Sequence, residues 1–297
     1  MPRTRREFLR DTTLAAAAAL CPGALSALER ARGDRMHFGL VTYMWGAKWT
    51  LPDLLAACEK AACLGVELRT THAHGVETRL DPRARKDVKK RFRDSPVTLV
   101  GLGSNERFDD PDPAVVKKAI EATKKFVVLS HDVGATGVKV KPNSFHKDVP
   151  REKTIEQIGK SLLELGKFAD GFGQEIRLEV HGQCAELPTI KKIVDIGKHP
   201  SVTVCWNSNK QGLQGKGLEH NFGLVRKRFG HTLHTRELDS KDYPYQQLIN
   251  LLVKTDYEGW VMLESSKVPK DRVAALTKLQ KLFETMVATA KKTLEKK

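Results

Sequence analysis

No Cys-x-x-Cys pair occurs among the five cysteines of this 297-residue chain, which argues against a zinc ribbon or a thioredoxin-like motif. Cys58, Cys63, Cys184 and Cys205 read instead as buried small hydrophobes, and Cys58 and Cys63 stand at an awkward helical spacing for a bridge. There is no low-complexity block, and no repeat with a period of about 20–50 residues marks a solenoid or array. The apolar run Leu14–Leu20 is too short and too alanine-rich to span a bilayer. A Gly-rich phosphate loop is missing after the first strand candidate, where Tyr43-Met44-Trp45-Gly46 stands, so a doubly wound nucleotide-binding sheet is the weaker alternative. Acidic residues are in deficit: 36 Asp+Glu face 51 Lys+Arg, for a net charge of +15. That balance favours acidic partners. The plainer reading is a solvated basic surface, because much of the charge sits in helical runs such as Arg83–Arg93 and Lys291–Lys297.

What is present begins with a targeting segment. Thr4-Arg5-Arg6-Glu7-Phe8-Leu9-Arg10 resembles the twin-arginine export motif, and the apolar run and small residues around Ala24–Ala27 follow it. Cys21 follows Leu20, a poor residue for a lipid-anchor motif. Residues 1–33 are therefore read as signal and linker, and 34–297 as one domain outside the cytoplasm. Twin-arginine export carries folded proteins, which suits a metalloprotein, and removal of the signal leaves no stable membrane insertion.

From residue 36 strand-like and helix-like segments alternate. Strands are expected at Met36–Tyr43, Gly65–Thr71, Val97–Gly103, Gly137–Lys141, Glu175–His181, Val202–Asn207, His231–Arg236 and Gly259–Ser265. Helical patterns lie between them, among them Leu51–Leu64, Pro113–Val133 and Gly217–Phe229. Eight such units in one domain predict a closed (β/α)8 barrel, an α/β fold with a parallel sheet. Strand parity adds to this. Ile176, Leu178 and Val180 share one face, and Arg177, Glu179 and His181 the other; Glu67 and Arg69 lie opposite Val66 and Leu68, and Lys139 and Lys141 opposite Val138 and Val140. One face is repeatedly charged, which is costly in a barrel unless its groups are paired, hydrogen-bonded or metal-bound.

Four strand ends read Leu178-Glu179-Val180-His181, Cys205-Trp206-Asn207-Ser208-Asn209, Leu233-His234-Thr235-Arg236 and Met262-Leu263-Glu264-Ser265. In this register the chain resembles the xylose-isomerase-like barrels of the sugar phosphate isomerase/epimerase superfamily over nearly its whole length. The resemblance implies one divalent metal, Mn, Co, Mg or Zn, held by Glu179, Asn207, His234 and Glu264, with the two glutamates as general base and acid. It also implies a sugar or sugar derivative whose proton next to a carbonyl is removed through a metal-stabilised enediolate. Asn207 departs from the usual Asp, which lowers the ligand charge, and Lys210 stands where relatives often have His.

His181, Asn209, Lys210, Arg236, Arg69, Lys141 and Trp45 are the candidate substrate contacts. Each has a plainer alternative: an ion pair of a glutamate with Arg177 or Arg69, a core histidine at 234, a hydrogen-bonding Asn207, a salt bridge for Arg236, a core lid for Trp45. His72 and His74 are candidates for a second metal. Three other functions stay open. One is a lyase or hydratase on a 3-keto-glycoside. Another is a sugar-binding protein with a degenerate site. The third, a trinuclear-metal nuclease on this barrel, lacks its Asp-x-x-His after strand six and has Thr232 where strand seven needs Asp, so no nucleic-acid partner is expected. Oligomeric state is not legible.

Overall fold

A computed structural model describes residues 32–295 of the protein. The targeting segment and Cys21 lie outside the described residues. Eight strands form one parallel sheet: β1 Met36–Val41, β2 Gly65–Arg69, β3 Thr98–Arg107, β4 Gly137–Lys141, β5 Glu175–Glu179, β6 Val202–Cys205, β7 Thr232–Thr235 and β8 Gly259–Leu263. Neighbours run in sequence order, β1 also pairs with β8, and the order β6-β5-β4-β3-β2-β1-β8-β7 leaves one seam, between β6 and β7. Two bridges, Val204 with Phe229 and Asn207 with His234, stitch that seam. The eight-stranded barrel expected from the alternation is thus observed.

The helices are α1 Tyr43–Gly46, α2 Leu51–Lys60, α3 Pro82–Arg93, α4 Pro113–Val133, α5 Arg151–Asp170, α6 Leu187–Ile196, α7 Gly217–Val225, α8 Tyr245–Lys254 and α9 Arg272–Glu295. Their starts follow local chemistry. Asp81 caps α3 by accepting from Ala84 N–H at 2.8 Å, Asp112 caps α4 from Ala114 N–H at 2.8 Å, and a proline opens each. Helix α2 stops short of the expected Leu64 because Ala62 turns to φ 53° and Cys63 N–H returns to Cys58 C=O. The expected helix to Phe229 breaks after Val225 into a 3-10 turn, Arg226–Arg228. Strand β3 runs four residues beyond its expected end and carries Asn105 to the rim.

Outward-facing Val66, Leu68, Val138, Val140, Ile176, Leu178, Val202 and Val204 pack on the helices in the main core. The inward set is different in kind. Glu67, Lys139, Arg177, Glu179 and His234 are all at most 1% exposed, so the polar parity read from the sequence is the barrel interior. Large inward side chains cross to glycines on the facing strands. A Cβ at Gly65 would lie 2.1 Å from the Trp260 ring, and one at Gly101 2.6 Å from Arg177 Nη1. All four described cysteines are free and buried, as expected of small core residues.

Near the strand starts Arg177 is held by Glu175 at 2.7 Å, Val100 C=O at 3.1 Å and Thr136 Oγ1 at 2.7 Å. Glu175 also accepts from His231 Nδ1 at 3.0 Å. Burial pushes the Glu175 carboxyl up, but the His231 hydrogen bond and the Arg177 charge outweigh it and bring it down to about 2. A carboxyl depressed on folding contributes stability above its unfolded value and loses it as pH falls. Glu175→Gln is therefore expected to be less stable at neutral pH and to lose less as pH falls from the ordinary carboxylate range toward about 2. Urea midpoints at pH 7 and pH 3 check this; parallel losses in both proteins would contradict it.

Candidate metal centre and substrate cavity

The upper interior is built by four strands that each deliver one polar side chain to the axis. Glu179 ends β5, His234 lies within β7, and Asn207 and Glu264 stand just beyond β6 and β8. Glu179, His234 and Glu264 offer ligand atoms within 4.8 Å of one another, an arrangement that could hold a metal ion. The seam bridge sets Asn207 beside His234.

His234 shows how the centre is prepared. Its Nε2 lies 3.3 Å from Glu67 Oε2. Its Nδ1 is 3.3 Å from Glu264 Oε2 and 3.7 Å from Glu179 Oε1, yet it is buried with no hydrogen-bond partner. When the ring is neutral with its proton on Nε2 toward Glu67, the Nδ1 lone pair points between two carboxylates. That is the carboxylate–histidine arrangement that orients a metal-binding imidazole. Burial alone would lower the His234 pKa; the Cys205 sulfur and the Glu67 and Glu264 carboxylates instead hold it well above the usual histidine range. A metal ion and a proton therefore compete for the same ring.

Glu179 is occupied on both oxygens. Lys139 Nζ donates to Oε2 at 2.9 Å and Asn207 Nδ2 to Oε1 at 2.8 Å. Burial pushes this carboxyl up, but Lys139 and then His234 hold it well below the carboxylate range. The pairing foreseen with Arg177 or Arg69 is not the one formed; the partner is Lys139, whose burial is outweighed by Glu179, Glu264 and Glu67 so that its pKa is raised. Asn207 points its nitrogen, not its oxygen, at Glu179. In this arrangement it fixes the Glu179 carboxylate by a hydrogen bond, as its plainer alternative allowed.

The donor set fits a divalent ion. Three carboxylates, Glu67, Glu179 and Glu264, face one ammonium, Lys139, and a divalent ion that displaced the His234 proton would supply the remaining positive charge. Two carboxylates and one imidazole suit Zn or Mn better than a softer metal. Glu67→Gln keeps the shape but removes the charge that fixes the His234 proton on Nε2. Metal affinity is expected to fall about 10–100-fold, read by competition with a fluorescent chelator, whereas an affinity within about twofold of wild type would contradict the role.

Above the centre lies a cavity of about 200 Å³ lined by Tyr43, Arg69, Lys141, Glu179, His181, Asn207, Asn209, Arg236, Glu264 and Ser266. The candidates His181, Asn209, Arg236, Arg69 and Lys141 are all in this wall. Burial lowers the His181 pKa and leaves its Nδ1 without a partner. Asn209 Nδ2 donates to Val180 C=O at 2.6 Å. Lys210 is exposed and lines an adjoining pocket that shares Asn209 and Arg236.

Trp45 is a correction. It is 3% exposed, its Nε1–H donates to Lys267 C=O at 2.9 Å, and it faces a flanking pocket rather than the cavity. It is a core lid, and no aromatic face of it is free to stack on a ring at the metal centre. The second-metal reading of His72 and His74 also gives way. His74 spends both ring nitrogens on backbone, Arg69 C=O and Val76 N–H, and His72 Nδ1 pairs with Thr42 Oγ1 at 3.0 Å. Tyr43, Ser266, Glu67 and Lys139 were not singled out from sequence as site residues, although the polar parity already placed Glu67 and Lys139 inside.

A family model described as a xylose isomerase-like TIM barrel matches residues 55–285. No curated protein matches the chain in sequence. Solved structures of similar fold include an L-ribulose 3-epimerase, 15% identical over 90% of this chain and 97% of that one with a TM-score of 0.74. Another is the 3-keto-D-glucoside 4-epimerase YcjR from E. coli, 14% identical over 84% and 99% with a TM-score of 0.71. A third is the IOLI protein with a bound zinc atom, 16% identical over 86% and 99% with a TM-score of 0.72. At these identities the likeness is one of fold.

Proposed function

Because the chain belongs to the xylose isomerase-like TIM barrel family, we propose that it is a metal-dependent isomerase or epimerase of a sugar or sugar derivative. One observation carries this reading: the partnerless Nδ1 of His234, buried between the Glu179 and Glu264 carboxylates while Glu67 holds the other ring nitrogen. A buried imidazole nitrogen without a partner is costly, and a divalent ion at that point would repay the cost. The fold likeness to epimerases of a ketose and of a 3-keto-glucoside, and to a zinc-bound protein, supports the reading.

A divalent ion bound there would polarise a substrate carbonyl and offset the negative charge that develops as a neighbouring proton leaves. The chain's own groups do the rest. Glu179 and Glu264, on β5 and beyond β8, enter the cavity from different walls, so one takes the proton from carbon and the other returns it. Lys139 and Asn207 fix Glu179 in place. His181, Asn209 and Arg236 line the wall where hydroxyl groups would sit. The export reading stays with this proposal, resting on Arg5-Arg6 and the apolar run after them, and with it a substrate met outside the cytoplasm.

The test is deuterium exchange. The metal-loaded chain is incubated in D2O with ketoses and with 3-keto-glycosides, and loss of the C–H signal next to the carbonyl is followed by NMR. Exchange with an epimeric or isomeric product supports the proposal. Exchange with an unsaturated product turns the assignment to a lyase on the same site. Sugar binding without exchange turns it to a non-catalytic binding protein.

A further inference from the structure

The cavity is electrically divided. Its β5–β8 side carries Glu179 and Glu264, with His234 buried against them, and its β2–β4 side carries Arg69 and Lys141, which Asn105 bridges from the rim. Asn105 Oδ1 accepts from Arg69 Nη2 at 2.9 Å and from Lys141 Nζ at 3.3 Å. Two cations on strand ends two apart thus share one neutral oxygen. Neither meets a carboxylate among the described residues. The acid that might have served them is taken, because Glu179 gives one oxygen to Lys139 and the other to Asn207. Arg69 is further fixed by the Tyr43 ring, 4.8 Å from its guanidinium carbon, and its Nε is buried without a hydrogen-bond partner.

A half-buried cation pair with a single amide between them is short of negative charge. Desolvation and mutual repulsion cost free energy that one amide oxygen and one aromatic ring offset only in part. Arginine forks match the two oxygens of a carboxylate, and lysine adds a point charge beside them.

Building on the sugar-enzyme reading above, we propose that Arg69 and Lys141 anchor a carboxylate at the substrate end remote from the metal centre, so that the site takes a sugar acid rather than a neutral sugar. The reacting carbonyl then lies toward Glu179 and Glu264 and the acid group toward β2 and β4. Arg236, which makes no ion pair among the described residues, lies on the far wall between the cavity and its two neighbours and is not part of the anchor.

The experiment is calorimetric titration of the Mn-loaded full chain with glucuronate and galacturonate, with glucose and galactose, and with glucose 6-phosphate. The acids are expected to bind at least about tenfold more tightly than their neutral counterparts. The preference should shrink as salt rises from about 0.05 to 0.5 M. It should vanish in Arg69→Gln and weaken in Lys141→Gln, with manganese content unchanged in both as the control on folding. Equal binding of neutral sugars, no measurable binding of either acid, or a preference that survives Arg69→Gln overturns the proposal. Tighter binding of the phosphate than of the acids overturns its carboxylate part. The two readings fail separately. Acid preference without deuterium exchange leaves the anchor and removes the isomerase, whereas exchange on neutral sugars without acid preference does the reverse.

Discussion

Lys139→Met is expected to destabilise the metal-free protein by about 3–5 kcal/mol, the usual cost of leaving a buried charge without its partner. Lys139 is 1% exposed, its ammonium lies 2.9 Å from Glu179, and the Glu264 and Glu67 carboxylates add to the negative field around it. Methionine fills a similar volume, so the loss is electrostatic rather than a cavity. For a chain of this size the melting temperature should drop by roughly 10 °C. Two further readouts separate this from general damage. Lys139 holds the Glu179 carboxyl below its usual range, so the stability it gives is present above the ordinary carboxylate value and is lost as pH falls through the depressed one. The gap between variant and wild type should therefore narrow in acid. Excess divalent ion should also restore more stability to the variant than to wild type, because the ion replaces the missing positive charge. Thermal unfolding followed by circular dichroism, at several pH values and with and without manganese, checks all three. A gap under about 1 kcal/mol that ignores pH and metal would show that Lys139 does not balance the centre.

Glu264→Gln is expected to slow deuterium exchange on the productive substrate by about 10²–10⁴-fold, the range for loss of a positioned acid or base. This position separates activity from folding better than Glu179, and because Glu264 is also one of the three groups that could hold the ion, exchange is compared at matched metal occupancy in excess manganese. Removing the Glu179 charge strands Lys139, so lost activity and lost folding would arrive together. Glu264 lies 3.3 Å from His234 Nδ1 and makes no direct contact with Lys139, so its loss strands no buried ammonium. Burial and the Glu179 charge push its carboxyl up, and His234 and Lys139 more than offset them, so it is ionised and ready to accept a proton at neutral pH. The variant should melt close to wild type when metal-free. Exchange within about tenfold of wild type would remove Glu264 from the acid–base pair.

Much of the fold is legible in the sequence. The eight strands follow from period-two patterning: Ile176, Leu178 and Val180 could only pack outward if Arg177 and Glu179 faced in. The same parity announced the charged interior. Glu179, His234 and Glu264 are marked as candidate metal ligands by the resemblance of four strand ends to the xylose-isomerase-like barrels, and the structure brings these three together. What stayed hidden depends on who faces whom across the barrel. Glu67 and His234 are 167 residues apart, and nothing local to either strand declares the contact. Lys139 was visibly on the inner face, but its choice of Glu179 over other acids is set by the order of strands around the axis. Trp45 misled for a related reason. An aromatic after a first strand suggests a sugar platform, whereas a one-turn helix, Tyr43–Gly46, turns the ring under Lys267 and brings Tyr43 to the cavity instead.

The central claim is that Glu179, His234 and Glu264 hold one divalent ion, and metal analysis of the purified chain tests it most directly. Elemental analysis of wild type after incubation with Mn, Co, Mg and Zn and desalting should give about one ion per chain, with Glu264→Gln losing it and Asn207→Asp keeping it more tightly. A wild-type chain that stays metal-free under every condition, or a Glu264→Gln chain that retains its ion in full, would contradict the account.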